Sequence, residues 1–199
     1  MDLDTLIHNF KGHLNTINNH KRMVMEYCFR VGLYKQGLLH DLSKYAPIEF
    51  INGCRYYQGF RSPNNAERED KGYSDAWMHH KGRNKHHFEY WLDYSVDPTK
   101  ILAPAKMPLK YVLEMVVDRI AASKNYKGKD YTDDLPLEYY HYGKSRSILH
   151  PVNRKQLVYL LTMLKEKGED YTMSYMRKLV YRMKKEQFDK VLSIIQRRK

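Results

Sequence analysis

Residues 5–31, TLIHNFKGHLNTINNHKRMVMEYCFRV, decide the fold. Leu6, Phe10, Leu14, Ile17, Val24 and Cys28 recur at spacings of three, four and seven. Such spacing lines one face of a single long amphipathic helix. His20 falls one turn before Val24, beside the apolar seam, where a metal ligand on a core-facing helix belongs. His13 shares its stripe two turns earlier, but Gly12 and polar neighbours place it closer to the surface. His8 reads as solvent-exposed.

Downstream, Gly32 and Gly37 punctuate the chain, and Leu38-Leu39 lead into His40-Asp41-Leu42-Ser43-Lys44. Two leucines before the pair predict a short helix whose inner end aims His40 and Asp41 at the core. An imidazole beside a carboxylate can serve one cation, and the carboxylate's second oxygen can serve another. Pro47 favours the first turn of a further helix, followed by Ile48, Ile51 and Cys54 or Arg55. Residues 59–74 have loop composition (Gly59, Pro63, Asn64, Asn65, Gly72), so a long loop is expected, either mobile or a cover for the site.

Residues 75–94 hold the densest chemistry, with His79, His80, His86 and His87 inside nine residues. Helical neighbours diverge by about 100°, so His79 and His80 cannot face the same way. His80 follows Trp77 by three and Ala76 by four, which favours it as the buried one, with His79 the alternative. Gly82 is expected to break the helix and Asn84 to cap the next, leaving His86 and His87 in its first turn. A helix N-terminus disfavours imidazolium and suits a neutral ligand. Lys81, Arg83 and Lys85 surround them and are candidate phosphate-binding groups beside a metal.

Pro98, Pro104 and Pro108 mark a linker before a helix over about 108–126. Its apolar face is Val112, Leu113, Val116, Val117, Ile120 and Ala121, and Asp118 sits inside or at the edge of it. A carboxylate there is costly unless it is paired or bound to metal. Residues 126–146 read as a Tyr-rich loop and a short helix from about 136. Residues 151–167 form a helix opened by Pro151 and stopped by Gly168. A last helix over 172–197 has Met173, Met176, Leu179, Val180, Met183, Val191, Leu192 and Ile195 on its core side. No strand pattern of useful length appears. The fold class is all-α, with six or seven helices.

At 199 residues the chain suits one core of residues 1–130 with a C-terminal helical extension of 131–199 packed on it. The formal charge of +12 is uneven: residues 144–199 carry 15 Lys and Arg against 5 Asp and Glu. Such a basic tail attracts nucleic acid, phosphorylated ligands or an anionic surface, or is simply a solvated face. No apolar run approaches the roughly 20 residues that span a bilayer. The acidic start, two cysteines and ten methionines point to a cytoplasmic protein without a membrane partner.

The order His20, His40-Asp41, Asp118 resembles the HD-domain superfamily of metal-dependent phosphohydrolases, across about residues 13–125. His40-Asp41-Leu42-Ser43-Lys44 is similar to the HD-x-x-K element of its two-metal HD-GYP subset. Val117-Asp118-Arg119-Ile120-Ala121-Ala122 is similar to its final Asp motif, and His86-His87 with Glu89 to its His-His-Glu element. Phe88 intervenes in that element and no Gly-Tyr-Pro follows, so cyclic dinucleotide specificity does not carry over. The His-rich portion also resembles a family of small uncharacterised bacterial proteins.

The resemblance implies an HD-like helical bundle binding one or two divalent ions of Mn, Fe, Ni, Co or Zn. His20, His40, Asp41 and Asp118 would hold one, with His13 the substitute first ligand. Asp41, as a bridge, with His80, His86 and His87 would hold the second. The implied activity is hydrolysis of a small phosphate ester, nucleotides included. Asp41 and Lys44 would be catalytic, and Lys44, Lys81, Arg83 and Lys85 would bind phosphate. Two other readings stand beside it. One is a di-iron oxygenase on the same ligand set, and the other is a non-catalytic protein that binds nucleic acid through its basic last helices.

Overall fold

In the computed structural model, which describes residues 2–143 and 148–196, the N-terminal pattern is realised as α1, Leu3–Val31. Asp2 caps it by accepting from the Thr5 N–H at 2.8 Å, and Gly32 ends it at a φ of 86°. Only its second half is core. Ile17, His20, Val24, Tyr27, Cys28 and Val31 are buried, whereas Leu6 and Phe10 are exposed, which corrects the expectation that all six apolar positions share the core face. In its first half Phe10 meets Phe50 edge-on, with ring centroids 5.3 Å apart.

Short elements follow: α2 (Tyr34–Leu39), a 3-10 turn over Leu42–Tyr45, α3 (Pro47–Arg55), α4 (Pro63–Lys71) and α5 (Asp75–Lys81). Leu38 and Leu39 are exposed, contrary to their expected burial. The contact face of α2 is Gly37, where an added Cβ would lie 2.9 Å from the Cys28 Cβ, so the helix is drawn close against α1 by its smallest residue. Helix α4 replaces the loop expected over 59–74. Pro63 starts it, Gly72 stops it at a φ of 81°, and the punctuation that reads as a loop is that of a short helix. Its buried Glu67 accepts from Ser74 Oγ at 2.6 Å and from the Asp75 N–H at 3.2 Å, which fixes the start of α5.

Two three-residue strands, β1 (Leu92–Tyr94) and β2 (Leu102–Pro104), pair antiparallel with Leu92 opposite Pro104. The central helix α6, Leu109–Lys127, buries Val112, Leu113, Val116, Val117, Ile120 and Ala121 almost completely. Truncating a residue such as Leu113 to Ala costs about 2–5 kcal/mol at a site of this kind. Helix α7 is Leu135–Gly143, and α8 is Pro151–Gln196, interrupted at Gly168, whose φ of 79° and ψ of 173° are non-helical. Asn153 ties the linker before α6 to the first turn of α8, bonding both the N–H and the carbonyl of Met107.

The described residues are thus all-α apart from this small sheet. One core runs from Val24 through α6 to Leu137, Leu157, Leu161, Met176 and Val180, so residues on both sides of 130 contribute to it. The backbone of the last helix is described to Gln196. The side chains of Val191, Leu192 and Ile195, expected on its core side, lie outside the described ones, as do residues 144–146 of the 126–146 segment. No helix among the described residues is long and apolar enough to cross a membrane.

Candidate metal centre

Four segments converge on one buried point. Helix α1 brings His20, the junction after α2 brings His40 and Asp41, and α6 brings Asp118. The segment from α5 to the 3-10 turn at Phe88 supplies His80, His86 and His87. The seven ligands read from the sequence fall into two overlapping groups, His20–His40–Asp41–Asp118 and Asp41–His80–His86–His87. In each group the donor atoms lie within 4.8 Å of one another, the spacing of donors around a shared ion.

Asp41 divides its carboxylate between the groups. Its Oδ2 lies 3.3 Å from His40 Nε2 and 3.8 Å from His20 Nε2. Its Oδ1 lies 3.3 Å from His80 Nε2 and 3.4 Å from His86 Nε2. Asp118 Oδ1 is 3.0 Å from His20 Nε2 and 3.7 Å from His40 Nε2. His80 and His87 face each other through their Nε2 atoms at 2.9 Å. The backbone is shaped for this. Asp41, at a φ of 53°, is the non-glycine residue in the left-handed region among those described, and such strain often accompanies function. Lys21 holds the end of α2 in place, donating to the carbonyls of Leu38 at 3.0 Å and His40 at 2.9 Å.

The buried Nε2 atoms of His20, His40 and His86 and the Oδ1 of Asp41 have no hydrogen-bond partner. Buried polar atoms are nearly always paired, so four orphans turned toward one another fit a cation. The Nδ1 atoms of His40, His86 and His80 are paired. Glu114 Oε1 is 3.0 Å from His40 Nδ1 and 3.3 Å from His86 Nδ1. Glu49 Oε2 is 2.8 Å from His80 Nδ1, and its Oε1 meets His79 Nδ1. Carboxylates behind ligand imidazoles fix the tautomer that leaves Nε2 free for metal.

Electrostatics agree. Burial opposes charge on Asp41, but His40, Lys44 and His80 hold its carboxyl well below the usual range. Asp118 is likewise held well below by His20 and His40 against the cost of burial. Burial pushes His20 down, with Lys44 adding to it, and pushes His87 well down, helped by His86 and His80. On His40 burial is outweighed by Asp41, Asp118 and Glu114, so the imidazole titrates well above its usual value. His80 is raised to about 8, mostly by Asp41 against burial.

Lys44 Nζ sits 2.8 Å from Asp41 Oδ2 and is the cation in contact with the cluster. The other candidate phosphate groups make their contacts elsewhere: Arg83 donates to the His79 carbonyl at 3.3 Å, and Lys85 lies over the Tyr90 ring at 5.4 Å. Lys81 closes α5. His13, the substitute first ligand, is outside both groups. Its ring packs on Phe50 and Gly53, where an added Cβ would lie 1.9 Å from Nε2, and burial lowers it to about 4. His79 points to Glu49 rather than into the cluster.

Two expectations need correction. His86 and His87 lie in a turn that leads into a 3-10 helix at Phe88–Trp91, not in the first turn of an α-helix, so no helix dipole sets their charge. Asn84 is not that helix's cap: its Nδ2 donates to Ser43 Oγ at 2.7 Å and to the His80 carbonyl at 2.9 Å, tying the turn to the HD segment. The Glu89 carboxylate is outside both groups, with a buried Oε2 lacking a partner and its acidity weakened by burial. The sequence reading missed Glu114 and Glu49. Glu114 precedes Asp118 by four on α6, hence on the same face, and a buried acid there was a legible signal. For Glu49 no comparable spacing exists.

The geometry defines a helical protein with a buried His/Asp cluster able to hold metal ions. The chain belongs to DUF5662, a family of unknown function, whose family model matches residues 9–163. No curated protein and no solved structure matches the chain.

Proposed function

We propose that the chain is a metal-dependent phosphohydrolase acting on a phosphate ester through two ions held side by side. The observation that carries this reading is the division of Asp41, whose Oδ2 faces the unpaired Nε2 atoms of His20 and His40 and whose Oδ1 faces the unpaired Nε2 of His86 together with Nε2 of His80. The resemblance of His20, His40-Asp41-Leu42-Ser43-Lys44 and Asp118 to the HD-domain pattern supports the same class. His20, His40, Asp41 and Asp118 would hold one ion, and Asp41, His80, His86 and His87 the other. Bound there, divalent ions would supply Lewis acidity toward the phosphoryl oxygens and a water of lowered pKa.

The chain's own groups complete the site. Glu114 and Glu49 keep the ligand imidazoles oriented. Trp77 stacks on His80 with ring centroids 5.7 Å apart and meets His87 edge-on at 4.8 Å, so it packs against two ligands of the second group. Each group has one partly exposed ligand, Asp118 with its side chain 17% exposed and His87 in the other, so substrate would approach where these two lie. Lys44, one-third exposed and pressed against Asp41, is placed to meet a phosphoryl oxygen there and stabilise charge as the ester breaks.

The test is hydrolysis of bis(p-nitrophenyl) phosphate, p-nitrophenyl phosphate and a panel of nucleotides by protein reconstituted with Mn, Co, Ni, Fe or Zn. Turnover that vanishes in Asp41→Ala is the expected result. Protein that loads metal yet cleaves none of these, or that carries two irons and consumes oxygen, overturns the hydrolase reading.

A further inference from the structure

Glu114 stands between the two groups of ligands rather than behind one. It is 4% exposed on α6, and a single oxygen, Oε1, lies 3.0 Å from Nδ1 of His40 and 3.3 Å from Nδ1 of His86. His40 belongs to the group with His20 and Asp118, and His86 to the group with His80 and His87. The two rings lie close, with centroids 4.4 Å apart and an interplanar angle of 34°. Both turn Nε2 toward the Asp41 carboxylate, and neither Nε2 has a hydrogen-bond partner. Glu49 makes the contrasting arrangement. Its two oxygens are used separately, Oε2 for the ligand His80 and Oε1 for the non-ligand His79.

We propose that Glu114 is the positioning residue that couples the two metal positions. By accepting from both Nδ1 atoms, it commits His40 and His86 to the tautomer that presents an Nε2 lone pair inward. One carboxylate thereby orients a ligand of each ion. Asp41 joins the positions from inside the cluster, and Glu114 joins them from outside. Loss of Glu114 therefore weakens both positions together, whereas loss of Glu49 weakens the position that uses His80. This inference rests on the two-ion reading of the site.

The experiment is a Co(II) titration of metal-free protein, followed by visible d–d absorption and calorimetry, on wild type, Glu114→Gln, Glu49→Gln and His87→Gln. Wild type is expected to take up two equivalents, and His87→Gln one at near wild-type affinity. Glu114→Gln should lose about 10–100-fold in affinity at both equivalents, with altered d–d bands for both, the usual size of an outer-shell effect. Glu49→Gln should lose affinity at one equivalent only. Circular dichroism melting of the metal-free proteins checks folding. If Glu114→Gln does not fold, Glu114→Asp, whose oxygens are drawn back by one methylene, carries the same expectation. A Glu114 variant that loses one equivalent and keeps the other, or that titrates like wild type, overturns the coupling while leaving the two-ion reading intact. A wild type that takes up a single equivalent overturns both.

Discussion

The ammonium of Lys44 lies 2.8 Å from Oδ2 of Asp41, the same oxygen that faces His20 and His40. In the metal-free protein Lys44 thus occupies part of the space a cation would claim. Lys44→Met is expected to load metal at least as tightly as wild type, because a competitor for Oδ2 is removed. Its phosphoester turnover should fall by about 10²–10³, the size of removing one charge-stabilising donor. Metal titration together with steady-state kinetics measures both. Loss of metal with retained turnover per bound ion would contradict this role.

Metal affinity should rise with pH between about 6 and 8.5. Binding requires neutral imidazoles. His40 titrates well above its usual value and His80 at about 8, because Asp41, with Asp118 and Glu114 at His40 and Glu49 at His80, outweighs the cost of burial. Both therefore carry protons that an ion must displace below these values. His20 and His87, lowered chiefly by burial, release none. Calorimetry in buffers of different ionisation enthalpy should detect proton release at pH 7. A pH-independent affinity with no proton release would contradict it.

The left-handed backbone at Asp41 predicts a trade between stability and function. Asp41→Gly and Asp41→Ala both remove the bridging carboxylate and should lose metal. At a φ of 53° alanine is strained and glycine is not, so the glycine variant should be more stable than the alanine variant by about 1 kcal/mol. Thermal melts of the metal-free proteins decide it, and equal melting temperatures would contradict it.

Away from the centre, Glu169 joins α8 to α1 and α6. Its Oε1 accepts from Arg30 at 2.8 Å, and its Oε2 accepts from the Tyr27 hydroxyl at 2.9 Å and from Lys124. These donors outweigh burial and hold its carboxyl below the usual value of 4.5. A depressed folded pKa contributes stability that is fully present above the unfolded value and lost as pH falls through the folded one. The window therefore lies below about pH 4.5. Glu169→Gln should cost about 1–2 kcal/mol at pH 7 and flatten the acid limb of a melting-temperature profile. An unchanged acid limb would contradict the assignment.

Much of this architecture is legible in the residues alone. The spacing of Ile17, Val24 and Cys28 and of Val112, Val116 and Ile120 gives the two central helices, and register on them places His20 and Asp118 beside the core. His40-Asp41, a weak signal alone, is legible because His20, His79, His80, His86, His87 and Asp118 accompany it. What failed depends on tertiary context. Leu38 and Leu39 point outward because Gly37 provides the close approach to α1, and residue size cannot reveal which face meets a neighbour. Residues 63–71 form a helix because Glu67 finds Ser74 and Asp75, partners that composition cannot supply. His86 and His87 are positioned by a turn tied through Asn84 to Ser43, a pairing across 41 residues.

The most direct measurement is the metal content of wild type and of Asp41→Ala, purified identically and assayed by elemental analysis. The account predicts about two equivalents of a divalent transition metal per wild-type chain, lost together in the variant because both positions share that carboxylate. Wild type that stays metal-free after reconstitution, or an Asp41→Ala protein that retains its full content, would contradict it.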